Sequence, residues 1–249
     1  MKPFFSIVVP ALNEEQYIGV LFLALKRQTF TDFEVILVDA ESKDKTVEVA
    51  NNFSKDFPLT IVKTSQKNIS GSRNVGAKSA QGSYIFFIDS DNSIAPDFLE
   101  EIKKSIDSKS YEMLIPAVIP DSKKFIYRSL YGSINGLVLI FKSLNVTFST
   151  GGNLIIKKDT FNMLSGFDET IFVGEDHDIV RRARKKGVKI AFLPHTKIIF
   201  SIRRLEKEKF SLIVKYFVST MYIAFFGKIT RKIYNYPMGG DYFEKRKIQ

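Results

Sequence analysis

Four apolar runs in the first hundred residues, each followed by a polar turn and then a segment with helical spacing, set the architecture of this chain. Ser6–Val9 is a short apolar run that Pro10 closes, and Glu15–Arg27 then places Ile18, Leu21, Phe22 and Leu25 on one helical face. Phe33–Asp39 (FEVILVD) is apolar almost throughout, as a strand covered on both faces has to be. Ser42 is placed to cap a helix over Lys43–Phe53, with Asp44 near its positive end. Leu59–Lys63 is a third strand, and Ser70–Ala80, rich in small residues, is a helix that Gly82 ends. Tyr84–Asp89 (YIFFID) is the most hydrophobic strand of this half, and Pro96–Ile106 opens a helix with proline in its first turn. Strand and helix in alternation predict an α/β fold with a mostly parallel sheet and right-handed crossovers.

In such a sheet ligands sit outside the carboxyl ends of the strands. The polar residues there are Asn13 and Glu14 after the first strand, Asp39 at the end of the second, and Asp89 with Asp91 after the fourth. Neither Gly-x-Gly-x-x-Gly nor Gly-x-x-x-x-Gly-Lys-Ser/Thr follows the first strand, which argues against a dinucleotide-dependent dehydrogenase and a P-loop NTPase. With no cysteine, a disulfide framework, a zinc-thiolate site and a cysteine nucleophile are all excluded. The net charge of +10 is uneven: residues 1–124 carry 15 Lys or Arg against 17 Asp or Glu, and residues 125–249 carry 22 against 10. A basic second half suits an anionic partner, or simply a solvated basic face. Nucleic acid is the weakest of these partners, because the chain lacks RNP, helix-turn-helix and zinc-finger spacings.

The Asp89-Ser90-Asp91 triplet carries the chemistry. Two carboxylates at i and i+2 past a buried strand can converge on one hard cation, Mg²⁺ or Mn²⁺, and leave positions open for diphosphate oxygens. Aspartates are equally common in plain capped turns, so the triplet alone leaves both readings open.

Several segments recur together with it: VVPALNEE (Val8–Glu15), VDAESKDKT (Val38–Thr46), GSRNVGA (Gly71–Ala77), FIDSDN (Phe87–Asn92), STGGN (Ser149–Asn153), SGFDE (Ser165–Glu169) and EDHDIVRRARKKG (Glu175–Gly187). In this order they resemble a family 2 glycosyltransferase with the A-type nucleotide-binding fold, over residues 4 to about 200. The resemblance implies a Rossmann-like sheet in a catalytic domain over 1–205. Its 1–110 half would bind the nucleotide sugar, its 111–205 half would supply acceptor and base, and a basic, apolar helical tail would follow over 206–249. It implies a pocket lip of Pro10, Leu12 and Glu14, with Leu12 departing from the aromatic residue often found there. Asp39 would accept from the base, or cap a helix. Arg73 would reach the nucleotide, Asp89 would lie near ribose and metal, and Asp91 would ligate Mg²⁺ or Mn²⁺.

For the second half the resemblance implies that Gly151, Gly152 and Asn153 line the acceptor site together with Glu175, and that Asp176 is the catalytic base. A plain turn and a helix cap are the competing readings of the two motifs. His195, Arg203 and Arg204 would share the diphosphate. The implied reaction is an inverting, metal-dependent transfer from a nucleotide-diphosphate sugar to a hydroxyl of a glycan or lipid-linked acceptor, in cell-surface polysaccharide or glycolipid synthesis. A non-catalytic sugar-nucleotide or glycan-binding module and a polyprenyl-phosphate sugar synthase are the alternatives.

The amino terminus lacks a signal peptide's apolar core, which suggests a cytoplasmic location. Phe210–Phe226 is apolar, contains Lys215 and is short for a spanning helix. Its basic flanks suit an interfacial helix on an anionic inner leaflet, to which Leu137–Phe141 could add. A helix packed across the catalytic domain reads equally well.

Overall fold

The computed structural model describes residues 2–66, 68–143 (backbone only at 140–143), 149, 151–208 and the separate positions 211, 215, 218, 219, 222, 223 and 228–230. The elements run β1 (Phe5–Ala11), α1 (Ile18–Lys26), β2 (Phe33–Asp39), α2 (Thr46–Asn51), β3 (Leu59–Lys63), α3 (Ile69–Ser79), β4 (Tyr84–Phe87), β5 (Ser93–Ile94) and α4 (Phe98–Lys109). They continue with β6 (Met113–Pro120), α5 (Phe125–Ser143), β7 (Leu154–Lys157), α6 (Lys158–Met163), α7 (Glu175–Lys185), β8 (Ile190–Phe200) and α8 (Arg203–Glu208).

One sheet takes all eight strands in the order β3-β2-β1-β4-β7-β6-β8-β5. The β3-β2-β1-β4 block and the β6–β8 pair are parallel, while β7 and β5 run antiparallel to their neighbours. The expected mostly parallel α/β sheet is therefore present. It is continuous across residues 110 and 111, and α8 runs across residues 205 and 206.

Strand alternation divides the core into two layers. Phe5, Ile7 and Val9 point to one face, where Ile18, Leu21, Phe22 and Leu25 of α1 and Phe98, Leu99, Ile102 and Ile106 of α4 cover them. Val8, Ile36 and Val38 point to the other, under Ala77 of α3, Phe161 of α6 and Ile179, Val180 and Ala183 of α7. Both faces of β1, β2 and β4 are buried, which is why these strands read as unbroken apolar runs.

Three local expectations are corrected. Pro10 does not close the first strand but lies inside β1, paired with Val38. Val8 turns its carbonyl to β4, where Ile88 N–H donates to it, and Pro10 two residues on faces the same side. Since β4 pairs no further than Val8, the missing proline N–H removes no ladder bond. Ser42 does not cap α2; its hydroxyl accepts from Asn13 N–H, and the helix starts only at Thr46. The first helix starts at Ile18 rather than Glu15, because the Glu14 and Glu15 amides donate to Thr46 and Asp44. Of the expected apolar tail, Phe210–Phe226, most positions lie outside the described residues. Among the described residues no helix is long and apolar enough to cross a membrane.

Gly76 shows how closely α3 lies on the sheet. A Cβ there would come within 2.3 Å of Val8 Cγ1 and 2.8 Å of Val38 Cγ2. Gly76→Ala is expected to cost about 1–3 kcal/mol by overpacking. Urea unfolding checks it: the midpoint should fall with the slope unchanged.

Candidate active site

The carboxyl ends of β1, β2 and β4 open onto a common edge, and two loops are clasped together there. After β1, Asn13 takes a left-handed backbone (φ 52°), and its N–H donates to the Ser42 hydroxyl while Lys43 N–H donates to its Oδ1. Glu14 N–H donates to Thr46 Oγ1 (2.7 Å), Glu15 N–H to Asp44 Oδ2, and Lys45 N–H to Glu15 Oε2. These reciprocal bonds fix the lip formed by Pro10, Leu12 and Glu14 against the end of β2. Asp39, 2% exposed, accepts from Ser42 N–H through Oδ1. That bond holds the turn after β2.

Two guanidinium groups organise the acids. Arg73, on α3 and 2% exposed, donates from Nη2 to Asp89 Oδ1 (2.8 Å) and from Nη1 to Glu175 Oε1 (2.7 Å), with Phe167 under the cation. Arg203, at the start of α8, donates from Nη1 and Nη2 to the two oxygens of Glu14 and from Nε to Asp91 Oδ2 (2.8 Å). The ring of Tyr17 lies 4.3 Å from it. Five carboxylates (Glu14, Asp89, Asp91, Glu175 and Asp176) thus surround two fixed cations, leaving an acidic excess.

Asp176 sits in the first turn of α7, 7% exposed. Its Oδ2 accepts from Gly152 N–H at 2.8 Å and its Oδ1 from its neighbour's amide, His177 N–H, at 2.9 Å. Burial opposes its charge, but His177, Arg73 and the amide bond outweigh that and hold its carboxyl below the usual range. For Glu175 burial and the adjacent Asp176 charge raise the carboxyl. The two neighbours are thus shifted in opposite directions, Glu175 up and Asp176 down. Burial also raises Asp89, against the pull of Arg73.

Gly151 and Gly152 both have left-handed backbones (φ 83° and 80°), and a Cβ on Gly152 would lie 2.3 Å from Arg73 Nη2. Gly152 makes room for Arg73 and points its amide at Asp176, while Gly151 lies against the Phe200 ring. Asn153, expected to line the acceptor site, is fully buried: its Oδ1 accepts from Asp89 N–H and Asn92 Nδ2, and its Nδ2 donates to the Gly151 carbonyl. It fastens the acidic loop. Arg73, expected at the nucleotide, uses both terminal nitrogens on Asp89 and Glu175.

The diphosphate trio separates. Arg203 joins the acids, whereas Arg204 turns to Glu208 on its own helix (3.9 Å). His195 is exposed where β8 bulges against β6, between Leu193 and Lys197, away from the acids at the strand's end. Tyr17, Asn92 and Phe167 support the site without having been singled out. Asn92 and Phe167 left a signal, as members of FIDSDN and SGFDE; Tyr17 left none.

Among the described residues no group of three or more His, Cys, Asp or Glu converges as a metal cage. Mg²⁺ and Mn²⁺ bound with nucleotides take one or two protein carboxylates and fill the rest with phosphate and water, so Asp91 with Asp89 fits such an ion.

A family model described as glycosyl transferase family 2 matches residues 6–164, and one described as the N-terminal domain of galactosyltransferase matches residues 140–206. The chain belongs to glycosyl transferase family 2. The poly(ribitol-phosphate) beta-N-acetylglucosaminyltransferase TarS of Staphylococcus aureus is 33% identical over 115 residues, 45% of this chain and 20% of that protein. The minor teichoic acid biosynthesis protein GgaB of Bacillus subtilis is 26% identical over 218 residues, 80% of this chain and 23% of that protein. The chain spans a fifth to two fifths of the length of the curated relatives it matches first. The crystal structure of TarS residues 1–349 superposes with a TM-score of 0.66 at 21% identity, covering 90% of this chain and 66% of that one. The mannosyltransferase PcManGT of Pyrobaculum calidifontis gives 0.66 at 16% identity, covering 89% and 65%. The fold is that of A-type glycosyltransferases.

Burial pushes the Glu14 carboxyl up to about 7 from its ordinary 4.5, outweighing its bonds to Arg203, with Asp91 and Asp89 adding repulsion. Between those values the folded chain keeps a proton that the unfolded chain releases, so stability falls as pH rises through that window and levels off above it. The total is up to about 3 kcal/mol. Glu14→Gln should remove this slope, read by urea unfolding at pH 5 and pH 8.

Proposed function

We propose that the chain is an inverting glycosyltransferase that moves a sugar from a nucleotide-diphosphate sugar to an acceptor hydroxyl of a cell-surface glycan or a lipid-linked precursor. The observation that carries this reading is the placement of Asp176 at the start of α7: two amides donate to its carboxylate and the nearby Arg73 charge helps hold its carboxyl below the usual range, while the same Arg73 grips Asp89 beside the metal-binding candidate Asp91. Asp176 takes the acceptor proton as the hydroxyl oxygen bonds to the anomeric carbon, and the bond to the diphosphate breaks with its electrons on the opposite face. Asp39 receives the base and the lip of Pro10, Leu12 and Glu14 borders the nucleotide. Asp91, with Asp89 beside it, would hold Mg²⁺ or Mn²⁺, whose charge offsets that of the departing diphosphate. TarS has been solved with UDP-GlcNAc and PcManGT with GDP-Man and Mn²⁺, which supports a nucleotide-sugar donor and a divalent ion here.

The same reading places the enzyme on the inner face of the cell membrane. Phe125 (83% exposed), Ile126 (68%) and Leu137 (53%) on α5 offer apolar surface, and Lys123, Lys124 and Arg128 adjoin its first turn.

Asp176→Asn keeps size but cannot take the acceptor proton. Transfer should fall about 10²–10⁴-fold while donor binding, read by thermal shift with UDP-, GDP- and dTDP-sugars, persists. A normal turnover of this variant, or a product that retains the anomeric configuration, refutes the mechanism. Asp91→Asn should abolish transfer that depends on added Mg²⁺ or Mn²⁺; wild-type activity unchanged by EDTA would remove the metal from the scheme.

A further inference from the structure

The loop that delivers Glu175 and Asp176 is anchored at two ends, and the two anchors come from different parts of the chain. At its start, Asn74 bonds Phe167 through N–H and carbonyl, and Arg182 donates to the Leu164 and Gly166 carbonyls. At its end the partner is a short stretch beyond the apolar tail. Phe172 N–H donates to the Ile229 carbonyl at 2.7 Å, and Val173 and Ile229 form an antiparallel bridge. Lys228 pairs with Asp168 and stands 4.0 Å from Asp178 in the first turn of α7. Ile229 is 1% exposed. Gly174, immediately before α7 and left-handed (φ 86°), lies so near Ile223 that a Cβ would come within 2.4 Å of its Cδ1.

These contacts fall on the residues that decide where α7 begins. Asp178 N–H closes the first turn on the Gly174 carbonyl, and Asp176 lies inside that turn. A shift of the 168–174 loop therefore moves the Asp176 carboxylate relative to Gly152 and Arg73, which belong to other elements. Removing the far segment would leave the Phe172 amide without its partner and Asp168 without its cation, while among the described residues the partners of Glu14, Asp39 and Asp91 lie elsewhere, in Arg203, Ser42 and Thr46.

We propose that Lys228 and Ile229 form a clasp that sets the position of Asp176, with Lys228 as a positioning residue for transfer, so that the C-terminal segment belongs to the catalytic machinery. The clasp rests on the reading of Asp176 as the base. Its function is geometric: misplacement of a reacting group by about 1 Å costs on the order of 10²-fold in rate.

The test uses the full chain with Lys228→Met and Lys228→Arg. Lys228→Met is expected to speed amide hydrogen exchange at Phe172 and Asp178 and to lower kcat about 10- to 100-fold, with the donor KM within twofold. Lys228→Arg, which keeps the cation, should restore both. Unchanged exchange in the Met variant overturns the proposal, as does faster exchange with an unchanged kcat. A donor KM that rises in parallel with the loss of kcat also overturns it, since that marks general loosening. A wild-type chain that transfers nothing with any donor sinks the enzymatic reading instead, and the exchange rates still decide whether the clasp exists.

Discussion

A buried guanidinium has to be matched or the fold cannot keep it, and Arg73 is buried to 2%. The desolvation of such a group costs several kcal/mol, recovered only by well-placed opposite charge, and removing one partner of a buried pair typically costs about 3–5 kcal/mol. Arg73 obtains its matches from the turn after β4 through Asp89 and from α7 through Glu175, and so ties the two together. Its Nε is left without a hydrogen-bond partner among the described residues, so its compensation comes from these two contacts, the nearby Asp176 charge and the Phe167 ring beneath it. The glycine at 152 follows from the same demand, because any side chain there would enter the guanidinium. One cation thus dictates a backbone conformation, the approach of a helix and the charge state of a neighbouring acid.

Arg203 repeats the arrangement at the mouth of the site with a different balance. It is more exposed than Arg73 and joins the first loop of the chain, through Glu14, to the acidic turn after β4, through Asp91. Burial of Glu14 outweighs even this bidentate partner, and the carboxyl still rises. The interior pair is therefore a fixed joint, whereas the outer one sits close to a protonation balance that solvent reaches.

Much of the sheet was legible because its strands are covered on both faces. Phe33–Asp39, buried at every position, appears at its expected bounds; so does Leu59–Lys63, a half-buried edge strand marked instead by its β-branched Thr60, Ile61 and Val62. β6 and β8 escaped the same reading. β6 carries Pro116 and Pro120, β8 carries Pro194 with Lys197, and the ladder between the two strands shifts register between Pro116 and Ala117. In the site, the types of residue at the strand ends were readable as chemistry, but their partners were not. Arg73 and Glu175 are 102 residues apart and Arg203 and Glu14 are 189 apart, so no local pattern links them. Asn153 shows the limit from the other side: an amide beside two glycines suggests a surface that meets a ligand, and only burial reveals it as internal bracing.

The two-residue strand β5 has a consequence out of proportion to its length. It follows Asp91 by two positions and pairs with β8 just before α8, Ser93 opposite Ile199 and Ile94 opposite Ile198. Arg203 stands three residues after the end of β8, so this short pairing brings together Asp91 and Arg203, two residues 112 apart in the chain. β5 works as a latch that closes the acidic turn onto the segment carrying its cation.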